Sequence, residues 1–541
     1  MFRCHRWARL APLALAAVLT AGAGTQEQAS PPPHRPELIQ LLRVNTPTQA
    51  DRHRLTGLDL DLAESAGPGY VDVVAHGNHD RRLLQRAGFA WLVLEDDLVG
   101  ADRDREKADA AYAKAAATLP SGRTSYRTLV DYANDLARLA KQYPATARLF
   151  TLKERSLENR PVLGLEISRN VSASDGKPVL LMAGLHHARE WPSGELTIEF
   201  AHDMLKNDGV NPRITGILDK ARVIVVPVVN PDGFNLSRTH GYELKRKNCR
   251  VVNGQLPTEE ECAQASYRSE GVDLNRNYSG FWGGPGASSS LTSETYRGAS
   301  AFSEPESRNI QALVSTHQVT TLISNHTYSG LILREPGYAG ATVTPDEATY
   351  KALGDRMAAQ NGYRSQYGHQ LYDTTGAAED WSYYATGALA FTFEHGTNSF
   401  HPAFSAVVTM YFGSGSTAGK GNREAYLLAA ESTIDPARHS VITGTGPAGA
   451  VLRLKKSFTT KTWNGTQLPD VLDTTMTVPA GGTYTWHTNP STRPAVVQQG
   501  GKESWTLTCE RPTGQVLETR SITVARGARV TANLTACSAS F

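Results

Sequence analysis

An imidazole and a carboxylate stand three residues apart in Gly184-Leu185-His186-His187-Ala188-Arg189-Glu190-Trp191, directly after an apolar run over 179–185. On one turn of chain, residues at this spacing face the same way, so His187 and Glu190 can grip one cation. A hydrolytic zinc centre needs one further protein ligand and keeps its last position open for water. A His-x-x-Glu pair alone also arises by chance on solvated helix faces, so its weight rests on what the rest of the chain supplies.

Four downstream stretches set polar residues at the ends of apolar runs, where open α/β sheets build their sites. Residues 223–230 run into Pro231-Asp232-Gly233-Phe234, and the basic run Lys245-Arg246-Lys247 follows. The second stretch is Gly271-Val272-Asp273-Leu274-Asn275-Arg276-Asn277, and the third is the β-branched run 319–324, which delivers Asn325-His326-Thr327-Tyr328. The fourth holds Leu371-Tyr372 and then Leu389-Ala390-Phe391-Thr392-Phe393-Glu394, an apolar run that ends on a carboxylate. Burying a carboxylate without a partner is costly, so Glu394 is out of place in a core.

In chain order these blocks, with Ser293-Glu294-Thr295-Tyr296 and Asp380-Trp381-Ser382 between them, resemble the zinc metallocarboxypeptidases of the carboxypeptidase A and B type, the funnelins, over roughly residues 121–433. The resemblance implies that His187, Glu190 and His326 are the ligands of one Zn2+. It implies that Asp273 accepts the spare ring N–H of His187 and fixes its tautomer, where the plainer reading is a turn residue. Glu394 corresponds to the general base that takes a proton from the attacking water and hands it to the departing amine; the alternative is a buried ion pair. Arg246 corresponds to the group that polarises the scissile carbonyl and steadies the oxyanion, although Lys245 and Lys247 beside it also fit a solvated basic loop.

Asn275 and Arg276 resemble the pair that binds a peptide's terminal carboxylate, which would make the enzyme an exopeptidase. Tyr372 resembles the tyrosine that closes over the bound C-terminal residue, with the small run 374–378 as a loop able to move, and Arg189 resembles a substrate contact further from the cut. Core or surface packing is the other reading of Tyr372. Glu379 falls where the family sets the floor of the pocket for the last side chain, and an acidic residue there goes with C-terminal Lys or Arg. Two departures keep mixed specificity open: Glu is longer than the Asp more usual there, and Tyr367 falls where basic-specific members carry a small residue. A Glu379 turned to solvent is a further alternative.

The elements that must hold these residues follow from pattern. Strand-forming runs at 162–167, 178–185, 221–229, 319–324 and 389–394 alternate with helical stretches, among them 126–142, 196–205 and 422–432. A mixed, mostly parallel sheet flanked by helices, an α/β fold, is therefore expected over 121–435, and the resemblance implies that it has eight strands. Ahead of it, 36–100 reads as strand 39–44, helix 47–55, strand 58–62, strand 70–75, helix 78–87 and strand 89–94. That βαββαβ order predicts a small ferredoxin-like α+β unit, read as a propeptide, with 101–120 as the connector carrying a processing site. A permanently attached binding domain is the rival reading. Beyond 440 the texture changes to short alternating runs and Gly-Pro turns, which predict an all-β sandwich over 440–541. Trp463, Trp486 and Trp505 are assigned there to core packing, with a carbohydrate-binding face as the alternative.

The chain's 541 residues exceed one ordinary domain, and its formal charge of +2 gives no reason to expect nucleic acid. Residues 1–24 pair Arg3, His5, Arg6 and Arg9 with an apolar run over 10–20 and read as a signal peptide too short to span a membrane. A secreted protein, extracellular or periplasmic, follows. Its mature part keeps Cys249, Cys262, Cys509 and Cys537, most economically joined as two local disulfides. The expected partners are peptide C-termini as substrate and an activating protease for the propeptide, with the enzyme acting as a monomer. Two other readings stand beside this one: a carboxypeptidase acting on cell-wall peptides, which needs a different pocket around the terminal residue, and a silent peptide-binding protein, which should have lost a zinc ligand or Glu394.

Overall fold

The computed structural model describes residues 38–112, 119–251, 259–264, 266–396 and 399–541. The expected signal peptide, and residues 113–118 of the connector, lie outside the described residues. No helix among them is long and apolar enough to cross a membrane.

Eight strands form the central sheet, in the order Arg364–Tyr367, Leu331–Arg334, Leu389–Glu394, Val319–His326, Val179–Ala183, Arg222–Val226, Leu163–Ile167, Ala147–Thr151. Its four inner strands run parallel, and antiparallel pairings join the outer strands to them. These inner strands are buried at every position because both faces are covered. Leu180, Met182, Val223, Val225, Phe391 and Phe393 face one core with the helices Trp191–Asn207 and Gly421–Ile434. Leu181, Ala183, Ile224, Val226 and Ala390 face the other, with Pro305–Thr316 and Ala378–Thr386.

Element bounds shift where local chemistry sets them. The first catalytic-region helix starts at Leu129 instead of 126 because Thr128 caps it, its hydroxyl accepting from Asp131 N while the Asp131 carboxylate accepts from Thr128 N. The stretch 221–229 is a strand only over Arg222–Val226; the chain then turns, and Asn230 caps the helix Pro231–Arg238.

The N-terminal region has the expected βαββαβ order, with its antiparallel sheet arranged Asp61–Gly67, Tyr70–His76, Ile39–Asn45, Trp91–Glu95. Its second strand begins three residues later than 58, and its pairing slips between Leu62 and Ala66, leaving Ala63, Glu64 and Ser65 as a bulge. Much of the connector is the helix Leu98–Tyr112. After 440 come two sheets of three and four strands. Ile442, Tyr484 and Trp486 from one sheet pack on Leu452, Leu454, Trp505 and Leu507 from the other, forming the sandwich. The sandwich opens on the strand Ser440–Thr445, and Val516–Ile522 is an edge strand of its four-stranded sheet. Both local disulfides are present, Cys249–Cys262 and Cys509–Cys537. The assignment of three tryptophans to the core needs one correction: Trp463 is 47% exposed, on the turn between two long strands, with its ring edge-on to Tyr338.

Candidate active site

His187 lies in the tight loop that leaves the strand Val179–Ala183, and Glu190 is the residue on which the helix Trp191–Asn207 starts. His326 ends the strand Val319–His326, and the parallel register sets Glu394 beside it at the end of the neighbouring strand. Four chemical groups thus meet at the carboxyl ends of parallel strands, where helix starts and loops leave room for a ligand.

Nδ1 of His187 and Nδ1 of His326 are 3.1 Å apart, and the two oxygens of Glu190 lie 2.7 Å from the first and 2.9 Å from the second. All three residues are buried, and their donor atoms fall within 4.8 Å of one another. Two imidazole nitrogens and a carboxylate turned onto one point are the donor set of a hydrolytic zinc centre, and they fit Zn2+. Both rings are also held from behind. Nε2 of His187 is 3.0 Å from Asp273 Oδ1, and Nε2 of His326 is 2.9 Å from Ser324 Oγ.

Asp273 starts the short turn Leu274–Arg276, where Oδ1 also accepts from Asn275 N. Its Oδ2 accepts from Nε and Nη2 of Arg246 at 3.1 and 2.9 Å. Burial works against the charge on Asp273, but Arg246 and His187 outweigh it and hold the carboxyl well below its usual range. Lys245 and Lys247 do not make a solvated loop: both are buried, with ammonium groups on the carbonyls of Arg268 and Glu270, and of Leu291 and Ser293. They anchor the segment that carries Arg246.

Glu394 has one oxygen with no hydrogen-bond partner among the described residues. Burial first, then the charges of Glu190 and Glu64, push its pKa well above the ordinary value. Asn275, Arg276, Tyr372 and Glu379 line one cavity with His187, His326 and Glu394. Asn275 Oδ1 accepts from Ala378 N, which ties the turn Leu274–Arg276 to the helix bearing Glu379. Glu379 is 9% exposed and faces this cavity, not solvent. Tyr367 is absent from the lining; its ring lies under the Arg334 guanidinium at 4.4 Å, so it does not narrow the space.

Three acidic residues at the site were missing from the sequence reading. Asp61 makes paired hydrogen bonds of 2.6 and 2.7 Å to Arg189, and Glu64 accepts from Nη1 of Arg246 with Oε1 3.9 Å from His187 Nδ1. Both come from the N-terminal domain, and acidic side chains within the apolar pattern at 58–67 were the available signal. Glu335, directly before Pro336, is buried beside Asp380.

Residues 132–410 match a family described as zinc carboxypeptidase. Carboxypeptidase A1 of Bos taurus is 29% identical over 320 residues, covering 58% of this chain and 72% of its own length. Metallocarboxypeptidase A of Trichophyton tonsurans is 30% identical over 333 residues, 59% of this chain and 74% of its own. In fold, carboxypeptidase A from Helicoverpa armigera superposes with a TM-score of 0.61 at 24% identity, across 74% of this chain and 98% of that one.

Proposed function

The chain belongs to the zinc carboxypeptidase family and is a zinc metallocarboxypeptidase, and from that premise we propose that it is an exported, latent precursor whose processed form removes C-terminal lysine and arginine from peptides. The observation that carries the reading is the convergence of His187, His326, Asn275, Arg276, Tyr372, Glu379 and Glu394 on one cavity. Zn2+ held by His187, Glu190 and His326 would supply Lewis acidity at the cleft.

The rest falls to this chain's side chains. Asn275 and Arg276 bind the substrate's terminal carboxylate, which fixes the cut at the last peptide bond. Arg246, pinned by Asp273, presents a guanidinium edge to the scissile carbonyl and to the charge that develops on its oxygen. Glu394 takes a proton from the attacking water and returns it to the departing nitrogen; a raised pKa suits both transfers, since the group must first accept and then donate. Tyr372, buried at the cavity, closes over the terminal residue. The free oxygen of Glu379 in the cavity supports a cationic last side chain.

Latency is supported by Asp61 and Glu64, which occupy Arg189 and Arg246, and by Arg52, whose guanidinium bonds the carbonyls of Gln370 and Leu371 just before Tyr372. Cleavage within 101–120 would release that domain. Export is supported by the two disulfides and the leader pattern of residues 1–24.

The test is release of the terminal residue from two blocked dipeptides, one ending in Arg and one in Phe, by zinc-loaded protein with its connector cleaved. Faster release of Arg by about tenfold or more, roughly 1.4 kcal/mol in the transition state, is the expected outcome. Preference for Phe would sink the basic-residue assignment and leave the carboxypeptidase.

A further inference from the structure

Beside Glu379 the cavity is lined by a second carboxyl group, on Asp380, and a third, on Glu335, lies behind Asp380 outside the lining; the two are 2% and 1% exposed. Resting on the basic-residue preference proposed above, we propose that Glu335 is a specificity-determining residue for a C-terminal arginine, forming with Asp380 and Glu379 a receptor for the guanidinium.

The hydrogen-bond ledger of the cluster is open. No N–H of the described residues reaches either oxygen of Glu335, one oxygen of Glu379 or one of Asp380, so Glu335 and Asp380 have only each other and Tyr384 to bond. Buried acceptors are normally paired, and buried carboxylates are paired with cations, so converging open oxygens mark a place that something else completes. The chain's own cations are spent elsewhere. Arg334, next to Glu335, sends its guanidinium to Glu347 and Ser365, and Arg276 donates to the carbonyls of Gly286 and Asn275.

The backbone keeps the way to these carboxyls clear. A Cβ at Gly337 would lie 2.4 Å from Asp380 Oδ2 and 2.9 Å from the Thr374 carbonyl oxygen, so only glycine lets the chain pass there, and Gly337 itself lines the cavity. Glu335 precedes it by two residues at the end of the strand Leu331–Arg334, which pairs with the strand ending on Glu394.

Two adjacent carboxyls in a dry site cannot both ionise cheaply, so the pair holds a proton. Burial, then the charge of Asp380, pushes Glu335 well above its usual range, and burial pushes Asp380 up to about 7. Glu379 and Tyr384 face Glu335, and Glu379 and the more distant Arg276 act on Asp380. An entering cation takes over the neutralising role, and the shared proton leaves to solvent. A guanidinium offers donors along more than one edge, which suits carboxylates on two sides; an ammonium is a point charge that Glu379 alone can meet.

The experiment compares kcat/KM for blocked dipeptides ending in Arg, Lys and Phe, using the zinc-loaded full chain cleaved in its connector, for the native protein, Glu335→Gln and Glu379→Gln. Glu335→Gln is expected to lose about tenfold or more on Arg, less on Lys, with Phe changed by no more than about twofold. Equal losses on all three, or unchanged Arg release, overturn the proposal. If Arg release survives Glu335→Gln while Glu379→Gln abolishes the basic preference, the inference about Glu335 falls and the functional reading stands. If the native enzyme has no basic preference, both fall. Calorimetry on the native enzyme needs no variant to fold: at pH 6, in two buffers of different ionisation enthalpy, free arginine should bind with proton release and free phenylalanine without. Arginine binding with no proton released overturns the proposal.

Discussion

The two carboxylate oxygens of Asp61 sit 2.6 and 2.7 Å from Nη1 and Nη2 of Arg189, a paired contact between the N-terminal domain and the loop that carries two of the proposed metal ligands. Three residues on, Glu64 adopts a left-handed backbone (φ 50°) at the bulge and reaches Arg246. Removing one partner of a buried pair leaves an uncompensated charge, at a cost of about 3–5 kcal/mol. With both carboxylates gone, the docked state loses that support, because Arg189 would stay buried without its paired anion and Arg246 would keep only Asp273. The double variant Asp61→Asn, Glu64→Gln is therefore expected to give the uncleaved chain measurable activity, at least about tenfold above the native uncleaved chain. Rates on a small substrate, with mass spectrometry confirming an intact connector, check this. A silent double variant would show that the two carboxylates do not hold the domain in place, and that its other contacts, Arg52 among them, suffice.

Acid should weaken the same contact. Burial works against the charge on Asp61, but Arg189 and then His76 hold its pKa below the ordinary carboxylate value. A carboxyl depressed in the docked state contributes stability that is complete above the undocked pKa, near about 4, and is lost as pH falls through the docked value. Limited proteolysis of the connector and thermal unfolding are both expected to change little between pH 7 and 5, and protection should fall away only below about 4. Weakening that begins near pH 6 would point to a histidine instead of Asp61.

Much of the catalytic region was legible because its chemistry is local. His187 and Glu190 sit within one turn, and Glu394 breaks an apolar strand with a charge that nothing in the sequence pays for. The inner strands were legible for a related reason, since burial on both faces favours apolar and β-branched residues along most of their length. Contacts between distant segments were not. Nothing local says that Glu64 reaches Arg246, 182 positions away, or that Glu335 meets Asp380, because each side chain is an ordinary polar residue in its own neighbourhood. Lys245 and Lys247 kept a solvated loop open as an alternative for the same reason: a basic run reads as solvated until the carbonyls that receive it are known.

Metal binding and proton transfer should separate by mutation. His326→Ala removes one of the three donors and is expected to abolish both stoichiometric zinc content after dialysis and the rise in melting temperature that zinc gives the native protein. At a zinc concentration of about 100 times Kd, that rise corresponds to roughly 2.7 kcal/mol. Glu394→Gln should bind zinc normally, because its carboxylate is not among the converging donors, yet lose about 10²–10⁴ in kcat. Loss of zinc in Glu394→Gln would make Glu394 a ligand and overturn the assignment of roles.

The C-terminal sandwich reaches the helix that carries Glu379 and Asp380. Asp470, on the strand Gln467–Thr477, accepts from Trp381 Nε1 at 2.9 Å, and also from Thr460 Oγ1 at 3.2 Å and Gln311 Nε2 at 3.3 Å. Trp381 is fully buried, so losing its only acceptor among the described residues strands an N–H in the core, which costs about 1–3 kcal/mol. Asp470→Ala should lower the melting temperature accordingly, while Asp470→Asn, oriented with its carbonyl oxygen toward the indole, should recover most of it. Because Trp381 directly follows the carboxylates lining the cavity, Asp470→Ala is also expected to raise KM for a C-terminal Arg by a few-fold with less change in kcat. A lowered melting temperature with unchanged KM would confine the sandwich to stabilising the fold; unchanged values of both would mean that the Asp470–Trp381 bond holds nothing in place.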